Sequence, residues 1–332
     1  YYDRGFDAND NEIASKDSDQ RSVTVDSDQF DGVVDFIGGD SNTDVLRVEF
    51  TSEGESLSGT GVDDIASVFL DTDSSGGAGN RLNAENITRD ATVYVVGNEG
   101  SDGTSGDALR VDSLQADLEA TNVTGVYNGT LDVNLQADVS GGVVDITTGS
   151  DDTSVTTASN SAAKVDAGQL QSRLDLDGVG DVTVTDAGSI VINGSSDLAF
   201  DGADTTDPLL GELDVTARLD ASVDVYTGAA NTRVESSLSA SGSGTAEIFA
   251  DEMADDTLLT LDGGNGSGGS SDFVVTGIQA DVDATATDAL LDVTTTDSGI
   301  DGGALTVTTG SGETFVTGAS SGDEVTVEAD EQ

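Results

Sequence analysis

Short stretches of this chain alternate between apolar and polar residues, and they are the clearest periodic signal in it. "LDVNL" (131–135), "VTVTD" (182–186), "LDVTAR" (213–218) and "LDVTT" (291–295) place Leu, Val or Ala at every second position. A period of two is what a β-strand with one buried face produces. The same device fills the C-terminal part, in "TLLTLDG", "DFVVTG", "LLDVTT", "ALTVTTG", "TFVTG" and "EVTVEA". Clusters of Gly, Asp, Asn and Ser lie between the runs and supply turns. The single proline, Pro208, leaves the runs unbroken, and Thr and Val favour extended backbone. The pattern predicts an all-β chain.

The runs also recur at long range. Leu-Asp-Val starts at 131, 213 and 291, and Thr-Gly pairs stand at 148–149, 227–228 and 309–310. Upstream, "AENITRDATVYVVGNEG" from Ala84, "DAGQLQSRLDLDGVG" from Asp166 and "ADEMADDTLLTLDGG" from Ala250 align as openings. Each is followed by a further strand: "LRVDSLQADLEAT" at 109, "VTVTDAGSIVING" at 182 and "FVVTGIQADVDAT" at 273. Three features in one order at a near-constant offset define units of about 80 residues, 84–164, 165–248 and 249–332. Residues 1–83 are strand-rich but do not follow this pattern, so they read as a separate β module or a cap.

Two architectures suit many short strands with turns between them. One is a parallel β-solenoid, whose stacked coils bury a continuous Val/Leu/Ile row. The alternative is a string of β-sandwich modules. Aromatic residues make up 4% of the chain, which leaves little to fill a sandwich core and favours the solenoid.

Charge narrows the partners. The chain carries 65 acidic and 11 basic residues, a formal charge of −54, and no Lys or Arg after Arg233. Nothing here neutralises phosphates, so nucleic acid is excluded as a partner, and an anionic membrane surface fits no better. The self-repulsion calls for screening by salt or for bound cations. Cysteine and histidine are absent, which removes disulfides, Cys ligation and the usual general base. No apolar run reaches the roughly 20 residues of a membrane span. The chain starts at Tyr1 and reads as a portion of a longer precursor, and five Asn-x-Ser/Thr sequons (Asn86, Asn122, Asn128, Asn193, Asn265) fit an exported protein.

"DFVVTGIQADVDAT", "LDVTT" and "ALTVTTGSGETFVTG" resemble the β-strand repeats of large exported bacterial surface proteins, of the S-layer, giant-adhesin and repeats-in-toxin type. The likeness covers about residues 84–332. It implies an extracellular or cell-surface protein stabilised by calcium. "GGNGSGGSSDF" (263–273) begins like the toxin-type calcium nonapeptide but lacks its Asp at the required offset. The acidic, Lys-poor composition also resembles surface proteins of halophilic archaea.

Calcium takes six to eight oxygen ligands, and three acidic segments offer them. In "FDANDNEI", Asp7, Asn9, Asp10 and Asn11 form an Asp-x-Asn-Asp-Asn run similar to the calcium-binding linker of cadherin-type modules. The alternative there is a solvated acidic terminus, and Glu12 at the glycine position disfavours an EF-hand. Asp151 and Asp152 in "GSDDTS", and Asp297 and Asp301 in "TTDSGIDGG", are turn candidates for which turn chemistry and solubility are the competing reading. Paired carboxylates also serve glycoside hydrolysis. Without Trp or His, and with Lys16 and Lys164 in polar settings, no catalytic role is expected.

These features predict a structural, self-assembling extracellular protein, a filament or S-layer subunit stabilised by calcium or high salt. Its main partner is a copy of itself, joined at the edge strands "VTVDS" and "DEVTVEA" by strand addition. The alternative is a segment of a large adhesin that binds glycans, cell-surface polysaccharide or a host surface.

Overall fold

The computed structural model spans residues 1–332. Before residue 80 it describes 5–6, 12–14, 22–26, 36–37, 45–49, 56–58, 62–63 and 67–71. From 80 to 329 it describes all but 86, 97–108, 123–124, 128, 140–141, 172, 189, 195–208, 219–221, 238–243, 264–271, 289, 297–303 and 319–323.

The described residues are all-β and form a parallel β-solenoid. That sets aside the β-sandwich alternative, whose sheets would be antiparallel. The chain divides into two compact units, Tyr1–Val165 and Asp166–Gln332. In unit 1, seven parallel strands make one sheet: Ser22–Asp26, Val45–Glu49, Ser67–Asp71, Thr92–Val96, Asp117–Glu119, Val143–Thr147 and Ala162–Asp166. Five more make a second: Ser56–Ser58, Asn80–Asn83, Leu109–Leu114, Leu131–Leu135 and Thr153–Thr157. Three strands from before residue 72 thus lie in the first sheet, alongside those that follow.

Unit 2 has two seven-stranded parallel sheets. Sheet A comprises Val182–Ala187, Leu213–Arg218, Thr232–Ser237, Leu258–Gly263, Asp281–Ala284, Ala304–Thr309 and Glu324–Ala329. Sheet B comprises Arg173–Gly178, Val191–Asn193, Ser222–Tyr226, Thr245–Phe249, Asp272–Ile278, Leu291–Thr295 and Thr314–Thr317. The chain visits the two sheets in strict alternation, so one coil is one strand of each.

In-register pairing stacks like upon like. One inward column of sheet A runs Val182, Leu213, Thr232, Leu259, Val282, Val307 and Val327. One in sheet B runs Leu174, Ile192, Val225, Ile248 and Val275. Almost all of these are fully buried, and together they form an aliphatic core without Trp and with few aromatics. Burying each Val, Leu or Ile contributes about 1.5–3 kcal/mol. This shared core holds the solenoid together.

The sequence phrases reappear as shared geometry. The amides of Ala84, Ala167 and Ala250 donate to the carbonyls of Asp112 (2.7 Å), Thr185 (2.9 Å) and Thr276 (2.8 Å). Each alanine carbonyl then accepts from the buried apolar residue three positions on, Ile87, Leu170 or Met253. The strand meeting each alanine carries a register shift with a left-handed residue, Ser113, Asp186 or Gly277. Each Thr-Gly pair sets its glycine against a carbonyl, that of Tyr127, Leu209 or Thr287, where a Cβ would overlap the oxygen. The next amide, of Ser150, Ala229 or Ser311, donates to the same carbonyl at 2.7–3.1 Å. Within unit 2, the Asp186 shift and Leu213–Arg218 lie in sheet A, whereas the Gly277 shift and Leu291–Thr295 lie in sheet B. One sequence repeat therefore spans three and a half coils, and successive copies of a phrase change sheet.

Candidate functional site

Of the calcium candidates, Asp151 and Asp152 are described. The Asp151 carboxylate accepts the amide of Asp152 (2.9 Å), and the Asp152 carbonyl accepts the amide of Leu131 (3.0 Å). This is the local bonding by which Asp closes turns. Among the described residues no group of three or more acids, His or Cys stands arranged around one point. Asp7, Asn9, Asp10, Asn11, Asp297 and Asp301 lie outside the described residues. Of the sequons, Asn193 is buried at 2% exposure and donates to Asp175 (3.1 Å), so its amide is committed inside the fold.

The scarce cations gather carboxylates on the outer faces. In unit 1, Arg81 and Arg110 occupy neighbouring positions on adjacent strands and both bind Asp112 through Nε, Arg110 at 2.9 Å. Asp112 is largely buried and also accepts from Asn134 (3.2 Å). In sheet A of unit 2, Arg233 reaches Asp214 (3.3 Å), Glu235 (2.6 Å) and Asp262 (3.1 Å). Such parallel stacking would set carboxylate against carboxylate, and one guanidinium relieves three strands at once.

The outer face of sheet B is built differently. Alternation in "SVDVY" and "TAEIF" turns Val223, Val225, Ala246 and Ile248 inward, which sends Asp224, Tyr226, Glu247 and Phe249 out. In register, Asp224 faces Glu247 and Tyr226 faces Phe249. Strands lie about 4.8 Å apart. The two rings stack with centroids 4.2 Å apart and planes 9° from parallel. Val274, Asp292 and Phe315 continue the Asp224–Glu247 row, and Phe315 is half exposed. Among the described residues no cation pairs with Asp224, Glu247 or Asp292. Burial, and then the Glu247 charge, hold the Asp224 carboxyl above the usual Asp range. Burial, then Asp224 and Glu247, raise the Tyr226 phenol in the same way. Unit 1 has a second stacked pair, Phe69 and Tyr94, at 4.7 Å and 14°.

This acidic, aromatic face was not singled out from the sequence. Its two halves, Asp224 with Tyr226 and Glu247 with Phe249, lie 23 positions apart and meet only through the coil register. The alternation of "SVDVYTG" does contain the signal, because it assigns Asp224 and Tyr226 to one side.

Comparison with known proteins gives no match to a protein-family model, to a curated protein or to a solved structure. No helix of the described residues is long and apolar enough to cross a membrane. The function is therefore argued from the chain itself.

Proposed function

We propose that this protein is a non-enzymatic, self-associating structural component of an extracellular surface layer or filament, held together with the help of calcium or high salt. The observation that carries this reading is the state of the terminal strands. Among the described residues, Ser22–Asp26 ends its sheet in unit 1 with a single parallel neighbour, and Glu324–Ala329 ends sheet A in unit 2 likewise. Val327 continues the inward column beyond Val307 and is 50% exposed. An end strand with open backbone groups and an apolar edge is a template for another chain. With −54 formal charge on each copy, cations must screen the approach.

The adhesin alternative draws on the outward aromatic pairs. Stacking sugar on an aromatic requires a free ring face, and in both pairs each ring has one face covered by its partner. The end strands favour self-association.

Electron microscopy and light scattering of the purified chain, at low and molar salt and before and after chelation, test it. Ordered assemblies that depend on calcium or salt are expected. A monodisperse chain under every condition would overturn the reading.

A further inference from the structure

Two of the Thr-Gly corners hold buried polar groups that the chain does not satisfy. Thr148 and Thr227 are fully buried, and among the described residues their hydroxyls have no hydrogen-bond partner. Gly149 and Gly228 follow them and are buried too. Among the described residues, no backbone hydrogen bond runs from the amide of either glycine. Buried hydroxyls and amides are almost always paired, with protein or with ordered water. The same two groups are unmet at corresponding positions of two repeat copies, which sets them apart from an isolated packing fault.

Small neighbours give these corners room. Tyr226 is in register with Asn193 on one side and Phe249 on the other, so Thr227, one position on, lies between Gly194 and Ala250. Thr147 is in register with Glu119, so Thr148 lies beside Ala120. Thr232, whose hydroxyl is also unmet, has Leu213 and Leu259 as its register neighbours. It is enclosed by bulky apolar side chains, whereas the two corner threonines stand beside small residues and a free amide. Gly228 is also pressed against the carbonyl of Leu209, which accepts the Ala229 amide and has a second lone pair to offer.

We infer that the Thr148 and Thr227 corners each bind one internal water molecule, which accepts from the glycine amide and bonds the threonine hydroxyl. An internal water makes about three hydrogen bonds and needs a polar, roomy site, and these corners supply donor, hydroxyl and space together. The third corner is less sheltered: Thr309 is 5% exposed and Gly310 is half-buried. Water there exchanges freely with solvent, so this copy is the control.

Magnetic relaxation dispersion of the water signal, on the full-length chain kept dispersed, counts internal waters with long residence times. Thr148→Val and Thr227→Val should each lower the count by one, and the double variant by two, while Thr309→Val leaves it unchanged. Each corner valine should also lower the denaturant midpoint, the reverse of what Thr232→Val does. Circular dichroism checks folding, and Thr227→Ser, which keeps the hydroxyl, should keep the water if a valine variant misfolds. A wild-type chain without long-lived waters would overturn the inference. So would folded valine variants with an unchanged count or a raised midpoint, or a serine variant that loses the water.

Discussion

Sheets A and B of unit 2 share one aliphatic core, yet their outer surfaces solve the same electrostatic problem in opposite ways. On sheet A, Arg233 ties the outward carboxylates of Asp214, Glu235 and Asp262. On sheet B, Asp224 and Glu247 meet without a cation, and the adjoining positions hold stacked rings. On sheet A one guanidinium bridges three carboxylates, whereas on sheet B the Asp224–Glu247 pair has no such bridge among the described residues. In-register parallel stacking makes every outward row a potential like-charge ladder. Where a cation is supplied internally the carboxylates are tied together, and where it is absent the like charges stay opposed.

The core common to both faces should dominate stability. Leu261→Ala, buried beneath sheet A, should cost about 2–5 kcal/mol in denaturant unfolding. Thr232 interrupts an otherwise aliphatic column, and its hydroxyl is buried with no hydrogen-bond partner. Thr232→Val keeps the shape and removes the unmet group, so it should raise stability by about 1 kcal/mol. On the outer face of sheet A, Arg233→Ala should lower stability by about 1 kcal/mol, less so at molar salt.

The smallest effect lies on sheet B. Burial and Glu247 raise the Asp224 pKa, so the folded chain favours its protonated form. The stability this group contributes is complete below the unfolded-chain value of about 4 and is lost as pH rises through the raised folded value. Asp224→Asn should therefore be more stable than wild type at neutral pH and equal to it near pH 3. Thermal unfolding at the two pH values measures this directly. Equal stability at both would remove the contrast between the faces.

Much of the fold was legible because its corners leave marks. A glycine pressed against a carbonyl at Gly149, Gly228 and Gly310 tolerates no Cβ, and the Thr-Gly pairs record that demand. The strands were legible through their period of two, and the scarcity of aromatics pointed correctly to stacked aliphatic layers. What the sequence did not disclose was that a repeat spans three and a half coils. Coils vary in length, so similar phrases can lie on opposite sheets while keeping the same bonds at Ala167 and Ala250. The outward face of sheet B was hidden for a related reason. Tyr226 and Phe249 become neighbours only when parallel pairing brings residues 23 positions apart into register. Acidic turns, in contrast, were conspicuous in sequence, and at Asp151 the carboxylate closes its own turn.

Strand addition at the terminal edges is the central claim, and hydrogen–deuterium exchange of the full chain, assembled and dispersed, tests it most directly. Among the described residues, Ser22–Asp26 and Glu324–Ala329 each pair with one strand only, while inner strands such as Thr232–Ser237 are paired on both sides. The account predicts that assembly slows exchange in the two terminal strands and leaves the inner ones unchanged. Assemblies in which both terminal strands exchange as fast as in the dispersed chain would contradict it.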